Sequence, residues 1–408
     1  MGRHIILVSL LLLFFQPYLM AQDYPYELPQ YEFINYDKNI LSGNTEVFPG
    51  FEQFFHKWED LILHGNSKIE ILHLGDSHIQ ADFFTGRVRE RMQNFFPGSE
   101  GARGVVFPYN LAATNNPGNY MIRSGSRWHV VNGVKQDNVN TGLIPAKVFS
   151  TDSIIDLHIS QYDTLNNSGF NQIEMWYAAG DTLHLITPKR NKITILPGQG
   201  KINIQLKSLV KASEISIVGA DSIHPFELYG IGLKNDLPGI TYHAMGLNGA
   251  EAEDFVQCRN FKKFLTFTDP DLIIISLGTN DVYDIYSNMN DFTLYYGSLI
   301  RQIRAVFPNK ALILTTPGDH FIRGYLPNKR VASAAQIIQD LGTRFKAAVW
   351  DFYTVMGGKG AMRHWDMYGL SARDRLHLSR KGYHLQGDLF FNALLNSFEH
   401  AAMPENGN

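Results

Sequence analysis

The sequence predicts an α/β protein: a parallel sheet with helices on both faces, interrupted by an all-β sandwich. Three observations carry that expectation. Apolar strands alternate with helical periodicity over roughly 65–100 and again after Pro238. The run 271–277 is apolar on both faces, as a buried parallel strand should be. Between these parts, residues 105–237 hold short alternating segments punctuated by Gly, Asn, Asp and Pro, with no strong helical pattern.

Taken in order, Arg3 and His4 precede an apolar run over 5–15, and Ala21 offers a cleavage site. The run is too short to span a bilayer, so 1–21 reads as a cleaved secretory signal and the product as exported, periplasmic or secreted. Residues 22–48, rich in Tyr, Pro and Asn without periodicity, read as an extended N-terminal arm. Phe51, Phe54, Phe55, Trp58, Leu61 and Ile62 recur at helical spacing. A strand over 69–74 leads into Gly75-Asp76-Ser77-His78, and a helix over about 80–96 ends at Pro97-Gly98. After the β-rich block come strands at 240–244, 271–277, 311–316 and 348–352. Helices are expected over 252–264, 292–307, 331–347 and 379–399. The α/β unit is thus discontinuous, 49–104 and 238–402, around an insert of 105–237.

Lys+Arg 36 against Asp+Glu 39, with no cationic run, leaves no concentrated basic surface for phosphates, so nucleic acid is not an expected partner. Cys258 is the sole cysteine, which forbids an intrachain disulfide and a Cys-based zinc site. Its place within 252–264 marks a buried thiol rather than a nucleophile. No cysteine lies near Ala21, so no stable membrane anchor is expected after cleavage. The oligomeric state is not legible.

Four polar segments fall at strand ends, where open α/β sheets build their sites. They are Asp76-Ser77-His78, Asn248-Gly249, Asn280-Asp281, and Asp374 with His377 before the last helix. A serine hydroxyl is a weak nucleophile until a base takes its proton; an imidazole can do so, and a carboxylate fixes its tautomer. The backbone N–H groups of Ser77 and Gly249 and the Asn280 amide can converge on one oxyanion. Each residue has a plainer reading: Ser77 and Asp374 as helix caps, Gly249, Asn280 and Asp281 as turn residues. Asp76, His78 and Asn248 are candidates for substrate contact or for support behind the catalytic groups. Trp128, Trp176 and Trp365 fit a core better than a sugar-stacking face.

These four segments resemble the sequence blocks of the SGNH (GDSL-type) serine hydrolases over roughly 65–100 and 238–400. The resemblance implies a flavodoxin-like sheet, Ser77 as nucleophile, Asp374 and His377 as its triad partners, and Ser77, Gly249 and Asn280 as oxyanion donors. It implies no metal and no cofactor. His78 stands where many members have Leu, a departure similar to bacterial peptidoglycan O-acetylesterases that carry an inserted β-sandwich. The activity so implied is removal of small acyl groups from a glycan, peptidoglycan first and another polysaccharide second, ahead of a thioesterase or lipase. Two other classes compete. Asp76-Ser77-His78 contains the Asp-x-His step of metal-dependent phosphoesterases, but the further ligand pairs of a two-metal site are missing. A carbohydrate-binding protein with an inert hydrolase fold would be attractive only if a triad member were absent.

Overall fold

Five parallel strands form the centre of the α/β unit, in the spatial order Gly239–Gly246, Lys68–Gly75, Leu272–Ser276, Ala311–Thr315, Ala348–Trp350. In chain order this is 2-1-3-4-5, the flavodoxin-like arrangement. The chain reverses its direction of travel beside Lys68–Gly75, and Ser77 lies just beyond that strand's carboxyl end, where such sheets open a crevice. The computed structural model describes residues 27–402 apart from 44, 46, 163–168, 188 and 190. The expected signal segment, 1–21, lies outside the described residues. Among the described helices, none is long and apolar enough to cross a membrane.

Alternate residues of each strand feed opposite layers. Ile69, Ile71, Ile274 and Ile313 pack with Phe54, Trp58, Met92 and Phe390 from the helices Phe51–His64, Phe84–Asn94 and Arg380–Ala402. Leu72, Leu74, Ile275 and Leu314 pack with Phe255, Leu299, Ile303 and Ile338 from the helices on the other face.

The interrupting block forms two antiparallel sheets. One runs Lys192–Ile195, Leu183–Ile186, Ala212–Val218, Ile154–Gln161, Tyr120–Arg123. The other runs Gly198–Val210, Phe170–Ala179, Phe226–Lys234, Ala146–Ser150, His129–Asn132, with Gly104–Val106 also on Phe226–Lys234. Buried side chains of both sheets, such as Leu157, Ile217, Met175 and Leu228, share one core with a face of the parallel sheet. The joint is aromatic: the Tyr229 and Phe264 rings lie 4.4 Å apart, and Trp176 packs on Phe264 and Phe267.

The path into the block follows strand Gly239–Gly246 from its start to its end. Gly101 packs against Ile240, the Val105 N–H donates to His243 Nδ1 at 2.9 Å, and the Tyr109 hydroxyl donates to the Gly246 carbonyl. The chain therefore recrosses to the carboxyl end of the sheet before the antiparallel sheets begin.

Three expectations need correction. The helix expected over 80–96 is a single turn, Ser77–Gln80, then a helix over Phe84–Asn94. Between them Asp82 takes a left-handed backbone (φ 52°), which ends one helix and starts the next at a new angle. The helix expected over 252–264 is two, Ala252–Val256 and Phe261–Leu265. Val139 divides them: its N–H donates to Gln257 O at 3.0 Å, and the Arg259 N–H donates to Val139 O at 2.9 Å. The arm over 22–48 is not merely extended, because Leu41–Ser42 adds an antiparallel edge strand to Ala348–Trp350.

The bend at Asp82 is held by its own buried carboxylate. This group accepts from Arg103 Nη2 at 2.8 Å, Arg89 Nη2 at 3.0 Å, Thr85 Oγ1 at 2.5 Å and Asn119 Nδ2 at 2.5 Å. Burial alone would raise its pKa, but Arg103 and Arg89 hold it well below the usual carboxylate range. A depressed folded-state pKa contributes stability above the unfolded pKa, and that stability is lost as pH falls through the folded value. Asp82→Ala deprives two buried guanidinium groups of this carboxylate and should cost about 3–5 kcal/mol in a urea titration near neutral pH. A loss under about 1 kcal/mol would mean the bend is held by packing instead.

Candidate active site

Ser77 is the first residue of the one-turn helix. Asp76 is its cap: the Asp76 Oδ1 accepts from the His78 N–H at 2.9 Å, and the Asp76 carbonyl accepts from the N–H groups of Ile79 and Gln80. This turn sits directly on the end of strand Gly239–Gly246. A Cβ on Gly246 would lie 2.5 Å from Asp76 O and 2.6 Å from Gln80 N, so only glycine admits the turn at this depth.

The spacing of Asp374 and His377 is closed by an Asx turn. Asp374 Oδ1 accepts from the N–H groups of Leu376 and His377, both at 3.0 Å. That leaves Oδ2 facing His377 Nδ1 at 2.7 Å, while His377 Nε2 lies 2.9 Å from Ser77 Oγ. One carboxylate oxygen shapes the loop and the other orients the imidazole. Arg375, left-handed at φ 51°, is pinned by an ion pair with Asp366 at 2.7 Å. Burial raises the Asp374 pKa, but the hydrogen bonds from His377 and Leu376 outweigh it and hold the carboxyl below its ordinary value. Asp374 does not cap the last helix, since Ser379 Oγ accepts from Gly382 N at 3.2 Å there.

Ser77, Asn248, Gly249, Asn280 and His377 line one cleft. Among the described residues, neither the Ser77 nor the Gly249 N–H has a backbone or side-chain acceptor in the chain. Gly249 has φ 76°, a conformation that favours glycine. The Asn280 amide donates to Ala250 O at 3.0 Å and makes a longer contact, 3.4 Å, with Asp76 Oδ2. Of its two N–H bonds, one is firmly engaged and the other loosely. Asp281 Oδ1 accepts from the Ala252 N–H at 2.8 Å and so locks the Asn280 turn to the Gly249 turn.

Asp76 and His78 do not line this cleft; they line a smaller cavity behind it with Thr279, His320 and Gln386. The Tyr383 hydroxyl lies 2.8 Å from His78 Nδ1, and the His78 ring is 5.1 Å from that of His377. Burial, and then the neighbouring His377, drive the His78 pKa well below that of a free imidazole. Burial pushes Asp76 up to about 7. Trp176 and Trp365 are fully buried, and Trp128 is half-buried against the same core as the antiparallel sheets. Cys258 is buried between the two short helices, with burial pushing its thiol up to about 12.

Sequence reasoning missed Tyr383, Phe83, Gln80 and Asn115. Tyr383 and Phe83 line the cleft with their rings 6.1 Å apart. Gln80 is buried beneath it, and Asn115 reaches it from the interrupting block. Gln80 follows Ser77 by three residues, a helical spacing that was the one available signal.

An acid–base–hydroxyl line at the carboxyl end of a 2-1-3-4-5 sheet, beside free backbone N–H groups, defines a carboxylic ester hydrolase. Residues 228–385 match the model of the GDSL-like lipase/acylhydrolase family. The match begins inside the interrupting block, so the fold, not the family model, brings Ser77 into the site. A solved peptidoglycan O-acetylesterase has a TM-score of 0.72 at 22% identity, covering 88% of this chain and 99% of that one. A salicylyl-acyltransferase from a tetracycline biosynthetic pathway has a TM-score of 0.33 at 11% identity, covering 68% of this chain and 97% of that one. An acetylxylan esterase from Geobacillus stearothermophilus has a TM-score of 0.30 at 19% identity, covering 38% of this chain and 73% of that one. No curated protein matches the chain.

The Gly246 contact gives a test of how the serine is held. Gly246→Ala should displace the Ser77 turn, lower aryl acetate turnover, and cost about 1–3 kcal/mol of stability. Wild-type values of both would show that the turn has room to spare.

Proposed function

We propose that the protein is an exported serine esterase that removes O-acetyl groups from a glycan, with peptidoglycan as its first substrate. The observation that carries this reading is the line from Ser77 Oγ through His377 to Asp374, with steps of 2.9 and 2.7 Å. In the proposed cycle, His377 Nε2 takes the Ser77 proton as Oγ attacks the acetyl carbonyl carbon. Asp374 holds the Nδ1–H tautomer and stabilises the imidazolium. The new oxyanion is received by the N–H groups of Ser77 and Gly249 and by the loosely held Asn280 N–H. Collapse of the intermediate returns the proton from Nε2 to the departing sugar oxygen and leaves acetyl on Ser77. Water, deprotonated by the same imidazole, then releases acetate and restores the serine. No cofactor is required by these steps.

The glycan is supported by two features. The fold likeness to a peptidoglycan O-acetylesterase extends over the interrupting block as well as the α/β unit, and the block supplies part of the cleft wall. Export is supported by the apolar run over 5–15 behind Arg3 and His4, which reads as a cleaved leader. Acetate release from purified O-acetylated peptidoglycan, set against acetylated xylan, tests the substrate; faster release from xylan would replace peptidoglycan by a plant polysaccharide. Ser77→Ala should lower turnover of an aryl acetate by several powers of ten while the fold persists, because the triad acts as a unit. Near-normal turnover in this variant would remove the serine mechanism. Asn280→Ala should cost about 100-fold in kcat with a smaller change in KM. A changed KM with unchanged kcat would assign Asn280 to substrate binding.

A further inference from the structure

Three segments distant in the chain meet beside Ser77 through one set of amides. Gln80 Oε1 accepts from the Asn248 N–H at 2.7 Å, and Gln80 Nε2 donates to the Asn115 carbonyl at 2.8 Å. The Asn115 side-chain oxygen accepts from Asn248 Nδ2 at 2.5 Å, and at 3.3 Å from Gln80 Nε2 and from the Thr114 hydroxyl. That oxygen is fully used. The Asn115 side-chain nitrogen, with two N–H bonds, donates to nothing among the described residues, and the residue is an exposed part of the cleft wall. A carboxamide held by its oxygen presents its donor end in a fixed direction, which lowers the entropic cost of using it.

The rest of the wall restricts what such a donor can meet. Among the described residues lining the cleft there is no Lys, Arg, Asp or Glu. Phe83 and Tyr383 supply aromatic surface and Ala81, Leu376 and Leu378 aliphatic surface. A ligand here is neutral, with apolar faces and oxygen acceptors at its edge, which describes a sugar ring rather than an ionised group.

We infer that Asn115, carried by the interrupting block, is a specificity-determining residue whose side-chain N–H groups donate to a neutral carbonyl or hydroxyl oxygen of the sugar bearing the ester. This rests on the glycan esterase reading above and extends it to a residue outside the α/β unit. The block would then act on specificity at the ester itself, not only by holding a polymer at a distance.

Asn115→Asp is the discriminating variant. It keeps an oxygen for Asn248, Gln80 and Thr114, deletes the donor and adds a negative charge, whose general effect on the site is read from the aryl acetate rate of the same variant. Steady-state rates are compared on O-acetylated peptidoglycan and on an aryl acetate, which has no sugar. The expected result is a fall of about tenfold in the peptidoglycan-to-aryl-acetate ratio of kcat/KM, the usual size for a hydrogen bond lost from a bound ligand. Asn115→Ala, which also loosens the Asn248 contact, should lower the ratio at least as far. An unchanged ratio in Asn115→Asp, with wild-type protein active on peptidoglycan, overturns this inference and leaves the esterase reading intact. Wild-type protein that hydrolyses the aryl acetate through Ser77 but releases acetate from no glycan overturns both.

Discussion

Much of this molecule depends on how the chain leaves Ser77. The helix that begins at Ser77 stops at Gln80. The bend at Asp82 redirects the chain after one turn, and a single buried carboxylate holds it against two guanidinium groups. One of those, Arg89, belongs to the next helix; the other, Arg103, lies where the chain recrosses the sheet, and Asn119 adds a third tie from farther on. The carboxylate is thus shared by the Ser77 turn, the helix that packs on the parallel sheet, and the entry to the antiparallel sheets. Its charge would be costly to bury alone, and the ring of donors turns that cost into a requirement that all three segments arrive together.

Charge around the site is distributed with similar economy. Burial pushes Asp76 to about 7 and Asp281 to about 8, and drives His320 down to about 4. The groups behind the cleft therefore tend toward their neutral forms, while Asp374, half-exposed and hydrogen-bonded, stays ionised beside His377. An imidazolium formed at His377 meets one firm counter-charge, on the side away from Ser77. The neutral Tyr383–His78 pair fills the space beside the imidazole without competing for its proton.

What the sequence disclosed and what it hid divide along physical lines. Ser77, Gly249 and Asn280 were legible because each follows a strand pattern, whereas Asp374 and His377 lie in a loop between helices, where only their residue types marked them. The spacing of Asp374 and His377 is local, and an Asx turn closes it without help from elsewhere. The break at Asp82 was not legible, since the partners that stabilise a left-handed aspartate are Arg103 and Asn119, outside any helical window. The division of 252–264 was hidden for the same reason: the segment's backbone is claimed by Val139, over a hundred residues earlier. Leu41–Ser42 is too short to show a period. Asn115 lies in a loop whose composition says only that it turns, and nothing local reveals that the loop ends at a cleft.

The long interruption also sets a clock. Ser77 and His377 are 300 residues apart, and the imidazole stands just ahead of the last helix. A chain grown only as far as Asn280 holds Ser77, Gly249 and Asn280 but not yet the His377 imidazole. Joining the two ends closes a loop containing both antiparallel sheets, a step whose entropic cost favours late formation. The approach of His377 to Ser77 is therefore among the later contacts to form, and a product that stops short of residue 377 lacks it.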